Sequence, residues 1–368
     1  MKTKLFLLAL IFAFSLEPSA LHAQGSLTPP PGVPAPTMIT LSQMEPRAPI
    51  SSAPITITQP GSYYLTTNLS VTAANAITIV ANNVTLDLNG FAISSTAPGA
   101  TGYGIELGNV NATTNISIFN GFISSGVTNN AGTYSGSGFA YGIAYSGAVP
   151  PRNVRVRNVS VTGCLDNGIY LPLGSSTVVE SCTVSVVGSY GIQADSVSRS
   201  TAIACGYAGV VAETASDCVG DAVSQAVLGY YTLNNCFGSS AGGVGIYCNG
   251  GANNCYGTTT TGTAVQCGNA GNCYGYSTGN GIAVNAGTAL NCYGYTPNGS
   301  GYGIFAYVAN DSFGYSITGT GIYAFYVATG SYGYSYSGTG INAFIASVCH
   351  GATVTGTALT TSHNVYSY

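Results

Sequence analysis

The C-terminal half of the chain is written as a repeat. A small residue, an aromatic and a glycine recur as Cys255-Tyr256-Gly257, Cys273-Tyr274-Gly275, Cys292-Tyr293-Gly294, Ser312-Phe313-Gly314 and Ser331-Tyr332-Gly333. Weaker copies on the same register give anchors at 182, 200, 218, 236, 255, 273, 292, 312, 331 and 349, with steps of 18 to 20 residues. A unit this short cannot bury a face alone and must stack on its neighbours, so the period predicts a solenoid of stacked coils.

Strand alternation gives each coil two sides. In the coil at 292, Leu290, Cys292 and Gly294 fall on one side and Asn291, Tyr293 and Tyr295 on the other. Further along each coil a phrase such as Gly279-Asn280-Gly281-Ile282, Gly301-Tyr302-Gly303-Ile304, Gly319-Thr320-Gly321-Ile322 or Gly338-Thr339-Gly340-Ile341 supplies a turn and a second strand. A coil of this length encloses little space. The Cys/Ser/Gly side and the Ile row are therefore expected inside, with the Tyr rows facing solvent.

Upstream, Ile55-Thr56-Ile57, Tyr63-Tyr64-Leu65, Ile77-Thr78-Ile79 and Val84-Thr85-Leu86-Asp87-Leu88 alternate with period two, and no segment carries a helical stripe. Asn89-Gly90-Phe91, Asn120-Gly121-Phe122 and Asn158-Val159-Ser160 read as earlier anchors on longer steps, with insertions at 96–104 and 124–151. Loops of that kind are where a site is commonly built, though they serve equally as decoration. Residues 1–23 have a basic start, a short apolar run and a cleavage-like Leu21-His22-Ala23, the pattern of a secretory signal peptide. The expected organisation is a signal peptide at 1–23, a Pro-rich extended linker at 24–54 and a β-helix domain at 55–368. That domain divides into long coils over 55–160 and regular short coils over 161–368, about thirteen coils in all at roughly 4.8 Å of rise each.

Without residues 1–23 the chain holds five Arg, no Lys and ten acidic residues. Nucleic acid and anionic membrane surfaces are poor partners for it, and no later stretch is long and apolar enough for a membrane span. Secretion, to the periplasm or beyond the cell, is expected. The eleven Cys are an odd number and lie mostly on the repeat register. Buried free thiols acting as small hydrophobes are favoured over a disulfide ladder. Metal-ligand spacings such as CxxC are missing from the sequence.

The run from Pro46 through Ile57-Thr58-Gln59-Pro60-Gly61-Ser62-Tyr63-Tyr64-Leu65 and Asn83-Val84-Thr85-Leu86-Asp87-Leu88-Asn89-Gly90-Phe91 resembles the opening of secreted right-handed parallel β-helix proteins of the pectate-lyase-like superfamily. By repeat style the resemblance extends over 46–368. It implies an all-β, right-handed parallel β-helix solenoid. Its enzymes imply clustered Asp ligands for calcium with a basic residue, or several Asp with a His on neighbouring coils. Here the array after Asp221 holds a single acidic residue, Asp311, and no basic one, so neither pattern carries over.

No catalytic set is assigned, and no metal or cofactor. The carboxylates from which a catalytic set would be drawn are Asp195, Glu213, Asp217 and Asp221. Asp195 and Glu213 each lie thirteen after an anchor and should stack one coil apart, close enough to shift a pKa or recruit Ca²⁺. Arg157 with Glu180, and Arg199 with Asp217, are expected to face each other across adjacent coils as ladder charges. His350 occupies an aromatic place of the repeat, and neither it nor His363 has triad partners. The leading ligand surface is the pair of aromatic rows, Tyr256, Tyr274, Tyr293, Phe313 and Tyr332 with Tyr276, Tyr295, Tyr315 and Tyr334. Outward rings at strand spacing suit a polysaccharide or cell-surface glycan. The expected function is an exported non-catalytic scaffold or adhesin contacting glycan through those rows. The alternative is a polysaccharide lyase or glycoside hydrolase.

Overall fold

The computed structural model describes residues 46–73, 75–108 and 113–366. The signal peptide at 1–23 and the linker as far as 45 lie outside the described residues. From Arg47 on, the chain is a parallel β-helix of about sixteen turns, without a helix among the described residues. Away from the two ends, strands of the main sheet pair with the strands one coil before and one coil after, in parallel register. The expected all-β parallel β-helix solenoid is what forms.

There are more turns than the expected thirteen because coils already stack ahead of the first expected anchor at Asn89. The first strand, Ala48–Ile50, falls within the segment read as linker and pairs in parallel with Tyr63–Leu65, which pairs with Val84–Asp87, which pairs with Thr114–Ser124. The insertion at 124–151 holds a short antiparallel hairpin, Thr128–Asn130 with Thr133–Ser135. It folds back along the coils, and the Tyr134 hydroxyl donates to the Ala204 carbonyl at 2.8 Å.

The core is a set of columns. Ile105, Ile143, Ile169, Ile192, Val210, Val227, Ile246, Val265, Val284, Ile304, Ile322 and Ile341 follow one another in register and are fully buried. Ile282 is the exception to the expected Ile row. It pairs with Tyr302 and is half-buried, and Val284 takes the inward place. A second column holds Cys182, Cys218, Cys236, Cys255, Cys273, Cys292 and Cys349, all buried. All eleven cysteines are free, as favoured above.

Between these columns the coil is thin. A Cβ on Gly294 would lie 1.9 Å from the Gly303 carbonyl oxygen, and one on Gly275 equally close to that of Ala283. Only glycine lets the two strands approach this closely across the interior. The alternation drawn through Leu290, Cys292 and Gly294 fails at its first member, since Leu290 is exposed and Ala289 is buried. The cause is Asn291, whose φ of 52° turns the chain just ahead of the anchor. Asn235, Asn254, Asn272 and Asp311 do the same at their anchors. Asn and Asp tolerate this left-handed conformation better than other side-chain-bearing residues. Their amides also bond along the stack, Asn254 to Asn235 and Asn235 to Asp217.

Candidate functional site

The Tyr rows face outward, as expected. Tyr256, Tyr274, Tyr293, Phe313 and Tyr332 are register partners in adjacent coils. Their ring centroids are 4.7–5.3 Å apart, and the stack continues onto His350 at 4.9 Å. Tyr276, Tyr295, Tyr315 and Tyr334 form the second row, spaced 4.6–5.8 Å. Most of these neighbours lie nearly parallel, so the ring faces pack on other rings and mainly edges and hydroxyls reach solvent. Burial is the main reason that the Tyr274 and Tyr293 phenols are pushed above their ordinary range.

A more concave surface lies on another side of the same coils. Tyr247, Gln266, Asn285, Phe305 and Tyr323 form an outward row along one wall. The next residues, Cys248, Cys267, Ala286 and Ala306, form the floor. Beyond the floor the strands bend at bulges. Pairing resumes at Gly251, Asn269, Thr288, Val308 and Val327, which leaves Asn249-Gly250 and Phe325-Tyr326 as two-residue bulges and Gly268, Gly287 and Tyr307 as single residues. A bulge bends the strand and re-aims side chains, and here it raises the far wall.

The result is an open groove of about 690 Å³ running along the solenoid axis over five coils. Tyr307, Phe325 and Tyr326 stand at its C-terminal end, each more than half exposed. Phe305 stacks on Tyr323 at 5.1 Å across from them. Asn249, Gln266 and Asn285 supply amides, and neither wall nor floor carries an Asp, Glu, Lys, Arg or His. Burial raises the Cys248 and Cys267 thiols on the floor, so both are poor nucleophiles.

The bulged row continues towards the N-terminus into the expected acids. Ala194, Ala212 and Gly229 precede Cys248 in register, so Asp195, Glu213 and Tyr230-Tyr231 precede Asn249 on its row. Asp195 and Glu213 thus occupy matching places in adjacent coils. Asp195 is committed to structure, accepting from the backbone N–H groups of Gly174, Ser175 and Thr177. Glu213 is half-buried, two coils ahead of Asn249, or roughly 10 Å at one strand spacing per coil.

The other two carboxylates lie elsewhere. Asp217 accepts from Asn235 in the turn ladder, and Asp221 shares the register of the second Tyr row through Ser239 and Thr258. Arg157 is the register partner of Glu180, as expected, but its guanidinium lies over the Phe119 ring. Glu180 pairs instead with Arg199, which corrects the expected Arg199–Asp217 pairing. His350 and His363 contact aromatic rings.

Buried polar groups that sequence reasoning passed over lie in the long coils. Glu106 is buried and accepts from Asn75 at 2.7 Å, Thr78 at 3.1 Å and Ser146. Tyr141 stacks on Tyr103 at 4.6 Å beside Asp166, and burial first, then that carboxylate, pushes its phenol up to about 12. Glu106 is saturated with donors, which marks it as a structural carboxylate. Among the described residues no three His, Cys, Asp or Glu come together as metal ligands.

No protein-family model matches the chain, and no curated protein matches it. Among solved structures it is similar to the A-modules of two Azotobacter vinelandii mannuronan C-5 epimerases. The likeness to AlgE4 has 12% identity over 83% of this chain and 90% of that one, with a TM-score of 0.37. The likeness to AlgE6 has 13% identity over 84% and 90%, with a TM-score of 0.41. At that level the likeness is one of fold. The expectation of a non-catalytic scaffold or adhesin stands against two neighbours that are both named as epimerases of a polysaccharide, and it is not carried further.

Proposed function

We propose that this chain is an exported polysaccharide-acting enzyme, a lyase or glycoside hydrolase, which holds an extended glycan along the groove between Tyr247 and Tyr326. One observation carries the reading. The groove joins aromatic rings to amide side chains on a concave surface whose long axis follows the stacking direction. Rings offer apolar faces to the C–H sides of pyranoses, and Asn and Gln both donate to and accept from hydroxyls. Each coil adds about 4.8 Å, close to the advance of one sugar in an extended chain. Glu213, on the groove's own row and free of the backbone bonds that occupy Asp195, is the acid–base group we assign to the reaction.

The test is cleavage of a polysaccharide panel by the purified protein, read as new reducing ends for hydrolysis and as absorbance of unsaturated uronate for elimination. We expect turnover of at least one polysaccharide. Glu213→Gln should remove it and leave retention of the polymer unchanged. Retention without cleavage across the panel would refute the enzymatic reading, and full turnover by Glu213→Gln would refute that residue's role.

A further inference from the structure

We infer that the glycan taken by the groove is uncharged, which rests on the proposed reading and narrows it to neutral polysaccharides cleaved by hydrolysis. A polyuronate carries one carboxylate per sugar, so a chain laid over five coils would bring several negative charges into the groove. No cation there would meet them. The lining is Tyr, Phe, Asn, Gln, Cys, Ala and Gly, none of which carries a positive charge. The sequence has no Lys after Lys4 and no Arg after Arg199. Arg199 itself is paired with Glu180.

The nearest charges on the groove's own row have the wrong sign for an acidic glycan. Asp195 and Glu213 precede Asn249 there, and both would repel a uronate, sulfate or phosphate ester entering from the N-terminal end. Desolvating a carboxylate against aromatic rings without a paired cation is costly, whereas a hydroxyl loses little when Asn249, Gln266 or Asn285 replaces water. The reaction class follows from the substrate class. Elimination requires a proton made acidic by the adjacent uronate carboxylate, and a neutral hexosan or pentosan has none. Hydrolysis adds water across the glycosidic bond, with the aglycone oxygen protonated as it leaves, and asks for no carboxylate on the sugar.

Affinity electrophoresis of the full chain tests this with galactomannan, xylan and mixed-linkage β-glucan as neutral probes and alginate and polygalacturonate as acidic ones, each at low and high salt. We expect retardation by a neutral polymer at both salt concentrations and none by the acidic pair. Tyr307→Ala with Phe325→Ala should weaken retardation about tenfold or more. Because those rings are exposed, the variant should fold, and Gln266→Ala with Asn285→Ala provides a second, independent probe of the same groove. Stronger retardation by alginate or polygalacturonate, abolished by the same variants, would overturn the neutral class and leave the groove standing. Neutral binding untouched by both variants would overturn the groove as its location. No retardation by any polymer would remove the proposed function, and this inference with it.

Discussion

Replacing Gly294 by alanine tests the thin-coil geometry most directly. The added Cβ would meet the Gly303 carbonyl oxygen at 1.9 Å, the Gly303 carbonyl carbon at 2.5 Å and Ile304 Cγ1 at 3.0 Å. Ordinary contact lies about 1.5 Å farther out than the first of these, and backbone, not a flexible side-chain end, is in the way. The strand Tyr293–Thr296 cannot simply step outward, because Gly294 is held in register between Gly275 and Gly314. Those two glycines approach Ala283 and Gly321 just as closely. The substitution should therefore cost about 3 kcal/mol or more, at the upper end for overpacked cores. The control is Gly251→Ala, where the nearest atom is the Asn269 carbonyl oxygen at 3.9 Å. It should be neutral or gain a few tenths of a kcal/mol, because alanine restricts the unfolded chain. Urea unfolding by circular dichroism compares the two, and hydrogen exchange locates the loss, since stacked coils open locally. Equal midpoints for the two variants would refute the argument.

Three further outcomes follow from the same structure. Tyr274→Ala with Tyr293→Ala removes four ring contacts and should cost about 2 kcal/mol in total, with glycan retention unchanged; a fall in retention at an unchanged unfolding midpoint would move the ligand surface from the groove to the ladder. All eleven thiols are buried and free, so a thiol reagent should label the native protein slowly and the denatured protein at all eleven. Fewer labels on denatured, unreduced protein would mean disulfides. Burial pushes the Cys164 and Cys205 thiols from 9.0 up to about 12. The unfolded chain then loses those protons first, so stability should be full below pH 9 and decline as pH rises towards 12, measured as a falling unfolding midpoint. A midpoint flat across that range would contradict the buried thiols.

The fold was legible because the repeat states its period and its inward columns at once. Cys255, Cys273 and Cys292 must share a column if steps of 18 and 19 residues are each one coil, and the glycines two places later mark where the coil is thinnest. What alternation could not convey was any break in the two-residue rhythm. Asn291 at φ 52° reverses the side on which Leu290 lies, so that residue was misplaced although its neighbours were right. The groove escaped for the same reason. Its walls are defined by where a strand carries an extra residue, as Phe325-Tyr326 does opposite Tyr307, and a step of 18 or 19 does not say where in the coil the extra residue falls. The clue was present in coil-to-coil differences between Cys248-Asn249-Gly250-Gly251 and Cys267-Gly268-Asn269, which align only if one strand bulges. Asp195 and Glu213 were correctly stacked, yet the role of Asp195 depended on the turn Gly174–Thr177, whose approach no spacing encodes.

A parallel solenoid makes the groove a consequence of repetition rather than of a special loop. Each coil contributes one increment of wall, floor and wall, at Gln266-Cys267-Gly268 and again at Asn285-Ala286-Gly287, so the binding surface lengthens in steps of one strand spacing. The interior constrains the floor to small residues because the coil is thin, and that is why Cys, Ala and Gly recur there. The outward places on either side are under no such constraint. There the chain alternates amides with rings, and with no Lys or Arg beyond Arg199 it leaves these coils without a positive charge. Shape is therefore set by packing inside the coil, while the choice of ligand is left to residues that packing does not dictate. The acid we assign, Glu213, is the last carboxylate on the bulged row before the uncharged stretch begins, and it lies two coils beyond the groove's end at Asn249.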